Sequence, residues 1–159
     1  METSKHIAKH LREIYFGGNW TCSSLKAQLS DVSLLEAKQT VYNLNSILTL
    51  THHIHYYILA VTQVLKGHKL IAKDKLSFNH PSIESEQQWN AYLENIWKET
   101  EVFADLVEQL PDAILETNFT DEKYGIYYRN LQGIIEHSHY HLGQISLLKK
   151  IVKSKKDAF

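Results

Sequence analysis

The chain is poor in the residues that punctuate or staple a fold: one cysteine, two prolines and six glycines in 159 residues. The lone Cys22 excludes an intramolecular disulfide and any paired-cysteine metal motif. No cationic neighbour activates its thiol, so a buried structural cysteine is expected. Neither sign of charge dominates. Seventeen Lys and Arg face 18 Asp and Glu, for a net charge of −1, and the basic stripe that would mark a nucleic-acid binder is missing. Apolar runs are broken by Thr, His or Gln before the ~18 residues that a membrane-spanning helix needs. The opening "METSKHIAKHLREIYFGG" has no apolar core of a secretory signal. These absences predict a single domain over residues 1–159, cytoplasmic, with neither nucleic acid nor membrane as partner.

With so little punctuation, long helices follow. Ile7, Leu11, Ile14 and Tyr15 recur at helical spacing and predict a helix from Ser4 to Phe16, ended by Gly17 and Gly18. A loop from Trp20 to Val32 follows, with a short turn through Leu25 to Leu29. Ser33 and Glu36 form a capping box for a second helix expected to run unbroken to Lys66. The segment His68–Ile83, about 16 residues, lacks periodicity and suits a crossover connection. Ser85 and Gln88 open a third helix, carried to Leu110 by Trp89, Leu93, Ile96, Phe103 and Leu106. A loop to Gly125 leads into the last helix, Tyr127 to Lys153, whose lysine-rich end suits the negative pole of its dipole. Four such helices without a strand predict an all-α four-helix bundle.

What the chain has in quantity is histidine, ten of them, in two knots: "THHIHYY" at 51–57 and "HSHYH" at 137–141. On a helix, residues i and i+4 share a face, so His137 and His141 can reach one metal ion from adjacent turns. His139 is rotated by roughly 200° from His137 and faces elsewhere. A third ligand has to come from another helix. His52, His53 and His55 point in different directions, and periodicity does not choose among them, although the apolar stripe Ile47, Ile54, Ile58 and Val61 is centred nearer His55. Spacing alone is cheap: His6 and His10 show it too, and with His68 and His80 they read as ordinary surface histidines.

The last-helix stretch "HSHYHLGQI", His137 to Ile145, resembles the signature of the DinB/YfiT-like superfamily. In that signature two histidines separated by three residues precede one residue, Gly-Gln and an apolar position. "SILTLTHHI", Ser46 to Ile54, resembles its second-helix signature, a Ser or Thr followed seven residues later by a histidine. The resemblance runs through the whole chain in helix order. It implies a four-helix bundle, a metal site of His53, His137 and His141, and a homodimer. Two positions depart from the pattern: Leu142 replaces a frequent basic residue, and His55 a frequent small one.

Three neutral imidazoles suit Zn, Ni or Fe(II), and three protein ligands leave coordination positions open. Such a site can acidify water toward a pKa of ~7 for hydrolysis, or hold a small thiol as thiolate. Similarity to DinB-like thiol S-transferases makes a low-molecular-weight thiol the expected substrate. Trp20, Tyr57, Tyr140 and Gln144 are candidate pocket residues, while Glu136, about 100° from His137, is expected to miss the metal. No general base is evident. The rival reading is therefore a non-catalytic, dimerising bundle with a structural or vestigial metal.

Overall fold

A computed structural model describes residues 2–156; residue 1 and residues 157–159 of the expected domain lie outside that range. The described residues form helices and no strand, apart from an isolated bridge between Asn118 and Ile126. The α-helices are α1 (Thr3–Phe16), α2 (Leu25–Leu29), α3 (Leu34–Lys38), α4 (Ile47–Leu65), α5 (Glu86–Glu108), α6 (Asp112–Leu115) and α7 (Tyr127–Lys156), with short 3₁₀ turns at Asp74–Leu76 and Glu122–Tyr124. None is long and apolar enough to cross a membrane.

The four long helices, α1, α4, α5 and α7, close a ring. Helix α1 packs on α5 and α7, and α4 packs on the same two. Between them lies one apolar core in which Leu11, Ile14, Leu48, Ile58, Trp89, Phe103, Leu131 and Ile145 are fully buried. Trp89 also donates its indole N–H to the Val32 carbonyl at 2.8 Å, so its burial leaves no polar group unpaired. The lysines near the end of α7 do more than suit a dipole, since Lys149 and Lys153 pair with Asp31 across the molecule.

One expected helix is two. The capping box at Ser33 and Glu36 forms as read, but α3 stops at Lys38, and α4 begins afresh with Ser46 as its N-cap, accepting from Thr49 N. Between them, Tyr42 and Asn43 take positive φ of 52° and 59°, a conformation no helix continues through. The break sits in "QTVYNLN", rich in β-branched residues and asparagine that favour turns over helix. Cys22 also departs from the expected burial. It is exposed, not buried, and its φ of 53° places it in the tight turn after Trp20.

Candidate metal centre

His53 comes from the second turn of α4, and His137 and His141 from the middle of α7, the two helices being direct neighbours. The ligand nitrogens of the three lie within 4.8 Å of one another, and His137 Nε2 is 2.9 Å from His53 Nε2. Metal–nitrogen bonds of 2.0–2.1 Å place tetrahedral ligands about 3.3 Å apart. The separations bracket that value.

The surroundings fix which nitrogen each ring presents. Ser77 donates its one hydroxyl proton to the Asp74 carbonyl at 2.5 Å, so toward His53 Nδ1, 2.7 Å away, it accepts. The His53 proton therefore sits on Nδ1, and Nε2 is left with a bare lone pair. Gln144 Oε1 lies 2.7 Å from His141 Nδ1. An amide oxygen only accepts, so His141 Nε2 is bare as well. The contact between His53 and His137 is then a hydrogen bond with the proton on His137 Nε2, the one ligand proton that would have to move, to Nδ1 of the same ring, for a cation to be held by all three. A donor set of three imidazoles, two with their tautomer held by outer partners, fits a divalent metal.

Burial keeps the rings neutral. His137 is pushed down to about 4, first by burial and then by the neighbouring His141 and His53. His53 and His141 also lie below the ordinary histidine value, burial again being the first cause. The His53 ring is held on both sides, stacked on Phe78 at 4.2 Å and edge-on to Tyr57 at 5.3 Å.

The other histidines are engaged elsewhere. His52 meets the Tyr92 hydroxyl at 2.8 Å. His55, toward which the apolar stripe leaned, is buried against Glu99 at 2.6 Å on α5. The stripe points to the core, and the three clustered histidines sit at its edge, so its centre falls on the imidazole that pairs with Glu99. His139 faces away from the cluster, as its rotation predicts, and packs against His10 at 5.8 Å.

The cluster opens into a cavity of about 700 Å³, within the range of small-molecule sites. Tyr57 and Tyr140 line it, as does Glu136. Gln144 acts behind His141 instead. Trp20 takes no part: it is 97% exposed and absent from the cavity wall, because the turn through Cys22 carries it outward. Two residues that sequence reasoning missed are Ser77 and Asp74. Asp74 lines the cavity and accepts from the Tyr57 hydroxyl at 2.6 Å. Both belong to the connection between α4 and α5, where no periodicity or spacing marks them out. Comparison with family models, curated proteins and solved structures gives no match.

Proposed function

We propose that this chain is a DinB-like four-helix bundle and a divalent-metal-dependent enzyme, with His53, His137 and His141 as ligands and a low-molecular-weight thiol as substrate. The observation that carries the reading is the pair of outer bonds, to Ser77 and Gln144, that leave Nε2 bare on two of three rings whose ligand nitrogens lie within 4.8 Å of one another. A divalent ion held there, Zn, Ni or Fe, supplies a Lewis acid with positions left for a thiol sulfur or a water.

The chain's own groups do the rest. Of the two carboxylates that line the cavity, Asp74 and Glu136, Asp74 is the one assigned to take the proton that the thiol gives up, because it is bonded to Tyr57, whose ring packs against His53 and His137. Tyr57 holds that carboxylate in place, and its phenol stays protonated because burial, and then the bond to Asp74, push it up to about 12. Val61, Leu70, Phe119 and Ile134 make much of the wall apolar, which keeps water from competing for the electrophile. With water in place of the thiol, the same groups support hydrolysis.

A purely structural metal calls for a closed site with a fourth protein ligand. Among the described residues the cluster has three, which favours the catalytic reading. The test is metal content by mass spectrometry on protein made without a histidine tag. About one ion per chain is expected in the wild type, with sharp loss in His53→Ala, His137→Ala and His141→Ala. Full retention in all three variants would sink the assignment. Thiol-transfer activity, screened on the loaded wild type, separates the enzyme from a metal-holding scaffold.

A further inference from the structure

The cavity extends well beyond the histidines. Along α7, Arg129, Gly133, His137 and His141 recur every four residues, a row that winds round the helix by about 40° per step, and all four line the same cavity. Arg129 and His137 are about 12 Å apart along the axis. Arg129 gives one N–H to the Tyr124 carbonyl at 3.0 Å. Among the described residues it has no carboxylate partner, which leaves the rest of its guanidinium fork free at the cavity's far end.

Gly133 lies midway. A side chain there would meet nothing within 4 Å, so no close packing demands a glycine. Glycine in a helix interior is less stable than alanine, and its effect here is to keep the floor of the cavity clear between the arginine and the histidines. Of the two acidic groups of the wall, Asp74 goes with the histidine end, held by Tyr57, whose ring lies 5.0 Å from that of His137; Glu136 follows Arg129 by about two turns of α7.

We propose that the cavity takes an elongated small molecule with an anionic group, the anion held by Arg129, the body lying over Gly133 and the reacting end at the three histidines. Only the reacting end rests on the metal reading. The anion end stands on Arg129 and the open floor. A carboxylate and a phosphate both satisfy a guanidinium fork, and two probes distinguish them.

Calorimetric titration of the full chain with S-methylglutathione, a tripeptide bearing carboxylates and a capped sulfur, reads the anion end without a free thiol at the metal. Glucose 6-phosphate serves as the phosphate probe. At least one should bind, about 10-fold more weakly to Arg129→Gln and more weakly as salt rises. Gly133→Leu, its fold checked by melting, should abolish binding by filling the floor. Equal affinity of the wild type and Arg129→Gln for both probes overturns the proposal, as does the absence of saturable binding to wild type up to about 10 mM. Arg129-dependent binding by a protein without metal would keep this inference and discard the metal one.

Discussion

Ser77 does with one hydroxyl what the site needs from it. It is fully buried, gives its proton to the Asp74 carbonyl and accepts from His53 Nδ1, so it fixes a tautomer without touching the metal position. Outer partners of this kind are worth about 10–100-fold in metal affinity. Ser77→Ala is therefore expected to weaken binding by that factor in competition with a chromophoric chelator, while circular dichroism stays unchanged. Ser77→Thr, which keeps the hydroxyl, should restore most of it. Wild-type affinity in the alanine variant would show that the stack on Phe78 alone orients the ring. At this scale the α7 half of the site was legible, since the spacing of His137 and His141 brings both rings to one place. The choice of His53 came from resemblance to a known signature. Ser77 was not legible at all, because its role depends on how an aperiodic connection folds back onto α4.

Helix boundaries show the same division. The ends of α1, α5 and α7 were readable within a few residues because glycine, proline and capping serines mark them. The α3–α4 break was not, because left-handed residues at Tyr42 and Asn43 leave no glycine as a sign. The start of α1 hides a further device. Glu2 makes no side-chain cap, and the first free N–H groups, of Thr3 and Ser4, donate instead to the Asp112 carboxylate of α6 at 2.8 and 3.0 Å. A negative group at a helix N-terminus is favourable, and these bonds hold the Asp112 carboxyl below its ordinary value. A carboxylate whose pKa is lowered on folding stabilises above its unfolded value of about 3.9 and loses that contribution as pH falls through the folded value. Asp112→Asn should therefore melt below the wild type at pH 7, and the gap should close as pH falls below the unfolded value of about 3.9 and through the lower folded one. A gap of constant size across that window would mean that the carboxylate charge is not what holds α1.

For the whole molecule, the three histidines lie where α4 and α7 meet, and the connection from α4 to α5 closes over them through three bonds. Tyr57 donates to Asp74, Lys73 N donates to the Tyr56 hydroxyl, and His53 donates to Ser77. A cation shared by α4 and α7 would bind the folded chain and find no preformed site in the unfolded one, so its binding would add to folding stability. At a free metal concentration of 100 times Kd the gain is about 2.7 kcal/mol, which for a chain of this size raises Tm by roughly 5–10 °C. Calorimetric melts of the loaded protein with and without EDTA measure it directly. The shift should vanish in His137→Ala, whose own melt should be insensitive to the chelator. The connection should respond as well: amide exchange across residues 66–85 is expected to slow on metal addition, because ordering His53 orders Ser77, and with it the turn that carries Asp74. A chelator-independent Tm in the wild type would remove the metal from the account and leave the three histidines as a hydrogen-bonded cluster at the edge of the core.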